Sequence, residues 1–438
     1  MPLPRFTTLA PLLALLLAAC GGGGGSGGSG AAACDVATQK DWLRDYMRDW
    51  YYWAGQSPDP EPGGYATVAA YFEALKYTAY SGVPGRVDPW SYIQDSASYN
   101  RFFAEGKASD YGFAVNGREG MLPLKVRYVE PASPAAGRLL RGDVIKAIDG
   151  VPDSVLIAGD FALLTPSRTG QQITLDIERD GAAQRVTVTA AEYSLTPVSA
   201  AATLPGQVGY VLLKDFITQA EAPLAARLDA IKAGGARDLV IDLRYNGGGR
   251  ISTANHFASQ VVGALHAGKV FTTLRYNTRH TGADTRYTMA GASGPAFERI
   301  AVLTGARTCS ASELLVNGLR PYARQVVTIG AASCGKPYGF SPRESCGNTY
   351  SAVNFRAVNA LGEADYEAGM TPTCAVAEDF AGVLGDPAEK LTAAALDYLR
   401  TGACPAASAD ERERASALAE RARRPFAEPG ERRGMTAD

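Results

Sequence analysis

Three short stretches of the 438-residue chain combine residue types that could break an acyl bond. The first runs from Thr304 to Leu315 and is predicted to be a strand, a tight turn and a helix, with Ser310 at the helix start. Unpaired backbone N–H groups and the positive end of the helix dipole lie there and would stabilise a neighbouring oxyanion. Ser310 is therefore a candidate nucleophile. The spacing Ser310-x-x-Glu313 also matches a capping box, in which the serine only caps the helix.

The second stretch, Asp242 to Gly249, reads D-L-R-Y-N-G-G-G and ends a predicted buried strand. Its glycines allow the backbone to approach a ligand closely and leave amide groups available. Taken alone, the stretch is equally compatible with a strand-to-helix turn or a phosphate loop.

The third stretch, Gly330 to Gly339, contains G-x-x-x-x-G-K and so is similar to a P-loop. Pro337 follows Lys336 where magnesium binding would need Ser or Thr, and Pro342 and Gly347 oppose a long helix after the loop. These residues argue against nucleotide binding.

The chain has three histidines, and none lies in a recognisable catalytic motif, which disfavours a Ser/His/Asp triad. A Ser/Lys dyad instead requires a neutral amine, so burial must lower the lysine pKa from about 10.4 by roughly two to three units. That shift corresponds to about 3–4 kcal/mol of desolvation. Cys309 is a rival nucleophile, although a disulfide or a small buried residue is the preferred interpretation.

The elements that must position these residues follow a mixed α/β pattern from residue 196 to residue 404. The predicted elements are strands Val208–Phe216, Asp238–Leu243, Arg299–Thr304, Gln325–Ile329 and Thr349–Ala357, and helices Glu221–Ala233, Ser310–Arg320 and Pro387–Arg400.

Two further units precede this core. Residues 34–109 are predicted to be mainly helical, and residues 110–195 contain short β-rich runs punctuated by Gly and Pro. Within the second unit, Ser133 to Gly150 resembles the PDZ domain in its short helix, R-G-D turn and I-K-A-I-D-G strand-turn. That resemblance implies that Tyr111-Gly112-Phe113 binds the terminal carboxylate of a peptide added as a strand. A purely structural role for the unit is the alternative.

The N-terminus is predicted to direct export. Residues 1–19 contain Arg5 and an apolar run, Leu9 to Ala19, that is too short to span a bilayer and fits a signal peptide. Leu17-Ala18-Ala19-Cys20 resembles the lipobox of bacterial lipoproteins, which implies a lipid on Cys20, and residues 20–33 would form a Gly/Ser tether. Because position 21 is not Asp, this resemblance implies the outer membrane of the cell envelope, facing the periplasm. A plain secretory signal is the alternative.

Cysteine usage and charge add further expectations. Six cysteines remain after Cys20, an even number that suggests disulfides in an exported protein, and Cys334–Cys346 is the favoured pair. No C-x-x-C or nearby His pair supports a metal site. The formal net charge of −2 gives no electrostatic reason to expect nucleic-acid binding. Residues 405–438 are predicted to be a charged, disordered tail without assigned function.

Together, the D-L-R-x-N-x-G-G strand end, the S-A-S-E turn and the downstream G-K, placed after a PDZ-like segment, resemble the C-terminal processing (tail-specific) serine peptidases, lipoprotein subgroup. The resemblance implies an α/β multidomain protein with an N-terminal helical region, a PDZ-like domain and a crotonase-like peptidase core. It also implies Ser310 as nucleophile, Lys336 as base and an oxyanion hole from the amides of Gly248 and Ala311, with Gly247 and Gly249 as alternatives.

This resemblance implies an endopeptidase that needs no cofactor and no metal, and that takes protein or peptide substrates through their C-termini. Two positions depart from the family. Phe340 stands where many members have a Gln that orients the lysine, and Pro321 stands near the place of a family Asp. The alternatives are therefore a non-catalytic peptide-binding protein on the same scaffold and a binder of small apolar ligands.

Overall fold

The computed structural model of the chain describes residues 34–117, 122–158, 162–292, 295–406, 413 and 434–437. The predicted signal peptide, Cys20 and the tether lie outside the described residues. No helix among the described residues combines the length and the apolar character needed to cross a membrane.

The N-terminal unit packs helices against an aromatic core. Its elements are α1 (Val36–Trp50), α2 (Val68–Leu75), β1 (Tyr92–Asp95), α3 (Ser96–Phe103) and β2 (Lys107–Asp110). Asp35 begins α1 as a cap, since its side chain accepts a hydrogen bond from the Thr38 N–H at 3.0 Å. The buried face of α1 carries Leu43, Tyr46 and Met47, as the helical spacing of its apolar residues predicts.

The second unit is a small, mostly antiparallel sheet with its own core. Its elements are β3 (Phe113–Val115), β4 (Leu124–Val129), β5 (Val144–Ile148), β6 (Val151–Pro152), α4 (Asp153–Ala158), β7 (Gln172–Arg179), β8 (Ala182–Thr189) and β9 (Ala191–Ser194). The strand order is β3-β4-β5-β7-β8, with β6 beside β5, while β9 pairs with β2 of the N-terminal unit. Alternate residues of β7 are buried, which is the pattern of a strand with one face on a core.

The third unit contains the elements that carry the candidate site. They are β10 (Val198–Leu204), β11 (Val208–Leu213), α5 (Glu221–Ala233), β12 (Asp238–Asp242), β13 (Gly248–Arg250), α6 (Ile251–Val262), β14 (Val270–Tyr276), β15 (Thr285–Thr288), β16 (Arg299–Thr304), α7 (Ala311–Leu319), β17 (Gln325–Gly330), β18 (Tyr338–Phe340), β19 (Arg343–Ser345), β20 (Asn348–Ser351), β21 (Val353–Val358), β22 (Cys374–Ala375), α8 (Lys390–Thr401) and β23 (Gly434–Thr436).

Two six-stranded sheets contain the strands of the third unit except β19 and β20, which form a three-stranded sheet with β1. One has the order β10-β11-β12-β16-β17-β22 and is parallel from β11 to β22. The other has the order β13-β23-β18-β21-β14-β15. The central strands β12 and β16 are almost continuous apolar runs because helices cover the parallel sheet on both faces. The α/β class and the helical N-terminal region are therefore as predicted.

One predicted strand is divided in the structure. Residues Thr349–Ala357 form the two strands β20 and β21, separated at Ala352. β20 pairs with β1 of the N-terminal unit, whereas β21 pairs with β14 and β18. The two strands belong to different sheets, so the stretch that the sequence predicts as one strand changes its pairing partner at Ala352.

The disulfide pairing corrects the sequence prediction. The bonds are Cys34–Cys346, Cys309–Cys334 and Cys374–Cys404, so the predicted Cys334–Cys346 pair is wrong. The extended strand β18 lies between those two cysteines and carries the chain from one to a distant hairpin. Cys346 turns that hairpin, β19–β20, which pairs with β1 and so lies beside the start of α1. Cys34 is therefore its neighbour despite a separation of 312 residues.

Candidate active site

Ser310 stands between β16 and α7 in a conformation that few non-glycine residues adopt. Its backbone angles are φ +62° and ψ −112°, and the residue has no solvent exposure. Such backbone strain is found at functional sites more often than elsewhere, where surrounding contacts enforce it. Ser310 and Glu313 do adopt the capping-box arrangement, yet the buried Ser310 Oγ has no hydrogen bond of good geometry to any of the described residues. The Ser310 hydroxyl therefore does not serve only as the cap of α7.

The carboxylate of Glu313 connects the serine turn with the lysine loop. It accepts hydrogen bonds from the Ser310 N–H at 2.9 Å and from the Lys336 N–H at 2.8 Å, both on the same oxygen. Its other oxygen accepts from the Gly335 N–H at 2.8 Å and the Ser333 hydroxyl at 2.5 Å. Burial raises the pKa of Glu313, and these hydrogen bonds oppose that rise. One buried side chain thus fixes Ser310 and Lys336 relative to each other.

A disulfide joins the same two segments covalently. Cys309 precedes Ser310, and its partner Cys334 lies two residues before Lys336. The Cys334 N–H also donates to the Thr308 carbonyl at 3.0 Å. The interpretation of Cys309 as a disulfide cysteine is confirmed. Because its sulfur is bonded to Cys334, Cys309 is not a competing nucleophile in this state.

Lys336 is fully buried in an aromatic environment. Its Nζ lies 4.0 Å from the centre of the Phe340 ring and 5.2 Å from that of Trp90. Phe340 therefore contacts the lysine from the position at which family members often have Gln. Burial penalises an ammonium ion, while a ring face attracts one, so the two effects oppose each other at this amine.

The glycine-rich strand end lies directly against the serine turn. A Cβ placed on Gly248 would be 3.0 Å from the Ala311 nitrogen and 3.0 Å from the Ser310 Cβ, so only glycine fits here. Asn246 connects the two segments, because its carbonyl accepts from the Cys309 N–H at 3.1 Å and from the Ser312 hydroxyl at 3.0 Å. The structure therefore brings together Ser310, Lys336, Gly248 and Ala311.

The amide of Gly248 has a partner in this structure. It donates to the Asn246 Oδ1 at 2.8 Å, so it would have to exchange that bond for one to an oxyanion. Ala311 is the first residue of α7, where backbone N–H groups have no partner within the helix. Of the two amides named from the sequence, Ala311 is the better placed to bind an oxyanion.

Sequence reasoning missed a buried ionic network beside the glycine-rich segment. Arg244 contacts Asp242 through its Nε at 3.0 Å and binds both oxygens of Glu389, at 2.6 and 2.9 Å. Burial alone would raise the pKa of Glu389, but the bonds from Arg244 lower it to about 2. Arg141 of the second unit joins the network through Glu378 at 2.8 Å. The D-L-R motif contains Arg244 and its partner Asp242, but the partners Glu378 and Glu389 lie more than 130 residues further along the chain.

The predicted carboxylate-binding residues line a separate cavity of about 240 Å³. Gly112 has φ +82°, and a Cβ there would come within 2.0 Å of Ser133, so the turn requires glycine. Tyr111 is buried, and its hydroxyl has no hydrogen-bond partner in the part of the chain that the structure describes. The cavity also contains Asp215, and the next residue, Phe216, pairs with the glycine-rich strand.

Comparisons with known proteins match two parts of the chain. Residues 207–375 match the sequence model of Peptidase family S41, and residues 38–92 match that of the Peptidase S41 N-terminal domain. The first range includes Ser310, Lys336 and Gly248. The chain belongs to peptidase family S41.

Curated relatives of this S41 chain are similar over about half of its length. The carboxyl-terminal-processing protease of Synechocystis is 29% identical over 238 residues, which are 53% of this chain and 53% of that protein. The chloroplastic carboxyl-terminal-processing peptidase 2 of Arabidopsis thaliana is 29% identical over 282 residues, 60% of this chain and 53% of that protein. The chain thus spans about half the length of the curated relatives it matches.

A solved structure shares the fold over most of the S41 chain. A crystal structure described as an S41 protease from Bacteroides fragilis has a TM-score of 0.66 and is 22% identical. The match covers 82% of this chain and 97% of that one. At this identity the comparison supports the architecture alone.

Proposed function

We propose that the chain is an exported serine endopeptidase that cleaves protein substrates by a Ser310/Lys336 dyad. Lys336, neutral at the start, accepts the Ser310 hydroxyl proton while Oγ bonds to the scissile carbonyl carbon. The Ala311 N–H and a glycine N–H of β13 stabilise the oxyanion. The C–N bond then breaks, Lys336 returns the proton to the leaving amine, and water hydrolyses the acyl-enzyme.

One observation carries the proposal: Ser310 and Lys336 both donate a backbone N–H to the same buried oxygen of Glu313, at 2.9 and 2.8 Å. The arrangement holds a strained serine and a buried lysine in place on two different loops of the chain. Family membership supports the same chemistry. The disulfide Cys309–Cys334 adds a covalent connection, which suits an oxidising compartment.

The finer parts of the proposal rest on the sequence resemblance. They are a lipid anchor at Cys20, an outer-membrane location facing the periplasm, and PDZ-type recognition of substrate C-termini through Tyr111, Gly112 and Phe113. The cavity beside these three residues is compatible with a peptide end. A labelled peptide with a free C-terminal carboxylate should bind there more tightly than its amidated form.

The test is intact mass after treatment with a fluorophosphonate probe. We expect one adduct on the wild type, none on Ser310→Ala, and labelling slowed about 100-fold or more in Lys336→Ala. Lys232→Ala is the matched control, since Lys232 is a half-buried lysine whose Nζ donates to the Gln260 carbonyl at 2.6 Å, remote from the site. It should label like the wild type.

The second candidate, a non-catalytic peptide binder, is favoured by the contact of Lys336 with Phe340 in place of an orienting glutamine. A folded wild type that never labels, yet retains a C-terminal peptide uncleaved, would support this candidate against the peptidase.

A further inference from the structure

The segment Gly434–Thr436 forms strand β23 inside the sheet that also contains β13 and β18. β23 is parallel to β13, with Gly434 opposite Gly248 and Thr436 opposite Arg250. β23 also pairs with β18 on its other side, where Thr436 lies opposite Phe340. Among the described residues, β23 alone separates β13 from β18. Without it, these two strands would border a slot one strand wide, since neighbouring strands lie about 4.8 Å apart.

Both walls of this slot belong to the candidate active site. β13 begins at Gly248, which lies against Ser310 and the amide of Ala311. β18 begins two residues after Lys336. The far edge of β13 is already used, because Phe216 accepts from the Arg250 N–H at 2.7 Å and donates to the Gly248 carbonyl at 3.0 Å. The edge of β13 that faces the slot is therefore the one open to an added strand, beside the dyad.

The tail is held in the slot by specific contacts. The Ala437 N–H donates to the Phe340 carbonyl at 2.8 Å, and Thr436 is 1% exposed. Glycine occupies the position opposite Gly248, which itself lies against Ser310. In this arrangement Ser310 and Lys336 have no solvent exposure.

We propose that Gly434–Ala437 competes with substrate by occupying the strand position that a substrate chain must take to reach Ser310. The inference rests on the proposed function and deepens it. It names the substrate class as an extended segment with a residue of glycine or alanine size beside the nucleophile. About 30 residues join Cys404 to Gly434, and a tether of that length gives an effective concentration on the order of 1 mM.

The experiment compares the full mature chain with a form that ends at Arg433. If the free segment binds with a Kd of about 0.1 mM, removing it should lower the apparent KM for an exogenous peptide about tenfold and leave kcat nearly unchanged. Fluorophosphonate labelling of Ser310 should accelerate by the same factor. Thermal unfolding shows whether the shortened chain remains folded.

A matched pair of point variants tests the contact itself. Ala437→Pro removes the N–H that binds the Phe340 carbonyl, whereas Ala437→Gly keeps it. The proline variant should behave like the truncation, and the glycine variant like the wild type. In trans, the peptide Gly-Met-Thr-Ala-Asp should inhibit the truncated enzyme competitively, and a scrambled peptide of the same composition should not.

Binding is also measured without catalysis, by fluorescence anisotropy of the labelled peptide on truncated Ser310→Ala protein. If Ser310 labels equally fast with and without the tail, and the peptide neither binds nor competes, the tail inference is overturned while the peptidase proposal stands. If no form labels, the proposed function fails, and the anisotropy result alone decides whether the slot accepts the tail. Intact mass is also compared between the wild type and Ser310→Ala. If only the wild type loses C-terminal residues, the inference is supported, because Ser310 can cleave the tail only when the tail lies in the slot.

Discussion

The amine of Lys336 lies 4.0 Å from the centre of the Phe340 ring, four residues further along the chain. Both residues are fully buried, so the attraction between the ring face and the ammonium form acts in a poorly solvated environment. The contact favours protonated Lys336, whereas the proposed base must be neutral. Phe340 therefore influences the pH range in which the dyad can react.

Phe340→Leu should make the enzyme active at lower pH. The substitution removes the ring face that attracts the ammonium form. The rising limb of the kcat/KM profile should therefore shift to lower pH. Phe340→Tyr keeps a ring and should keep the wild-type profile. A rising limb at the same pH in all three proteins would contradict a role for the ring.

The disulfide Cys309–Cys334 should support catalysis in addition to stability. It closes a separation of 25 residues, and Cys374–Cys404 closes a similar 30, so removing either bond should cost about 3 kcal/mol of unfolding free energy. Only the first bond connects the serine turn to the lysine loop. Cys309→Ala/Cys334→Ala should therefore reduce kcat at least tenfold, and Cys374→Ala/Cys404→Ala should not.

Steady-state kinetics at a temperature at which both double variants are folded would check this expectation. Treatment with a dithiol should lower kcat of the Cys374→Ala/Cys404→Ala variant as well, because half-buried Cys334 gives the reductant access to the bond near Ser310. Equal kcat values for the two double variants would show that the bond near Ser310 is only structural.

The sequence predicted local elements well where burial and composition agree. Helix Glu221–Ala233 and strand Arg299–Thr304 were predicted with their observed bounds, since the first consists of strong helix formers and the second is a buried apolar run. The assembly of Ser310, Lys336 and Gly248 followed from motifs in a known order.

Features that depend on distant partners could not be predicted in this way. The Cys34–Cys346 bond and the contacts of Arg244 with Glu389 join residues that only the complete fold brings together. The strand Gly434–Thr436 has no apolar alternation of its own, and its pairing depends on the slot between β13 and β18. Local patterns contain no information about such a partner.

Glu313→Gln should disrupt the dyad although the side chain keeps its size. An amide has one acceptor oxygen, so its NH₂ group would face either the N–H groups of Ser310 and Lys336 or the donors of Gly335 and Ser333. We expect a loss of about 3 kcal/mol of stability, because a fully buried charge-assisted network is broken. We also expect at least a 100-fold loss of kcat. Glu363→Gln, at a less buried carboxylate on the loop after β21, is the control and should retain activity.

Urea unfolding and peptide hydrolysis, measured on the same preparations, would separate the two effects. A Glu313→Gln protein that is destabilised but retains wild-type kcat would show that the carboxylate supports the fold without positioning the dyad.

Glu130, at the end of β4, should make stability depend on pH. It lies in the cavity beside Gly112, and burial raises its pKa from an ordinary 4.5 to about 7. The folded state therefore binds the proton more tightly than the unfolded state. The resulting stability is fully present below about pH 4.5 and is lost as the pH rises towards 7.

Glu130→Gln imitates the protonated acid and should remove this dependence. At pH 8 the variant should be more stable than the wild type by up to about 3 kcal/mol, the equivalent of the roughly 2.5-unit shift, and near pH 4 the two should be almost equal. Glu178→Gln, at an exposed surface ion pair with Lys146, should change stability little at either pH. Urea unfolding of the three proteins at both pH values checks the sign. A Glu130→Gln protein that is less stable than the wild type at pH 8 would mean that the carboxylate is held ionised by Lys214, which also lines the cavity.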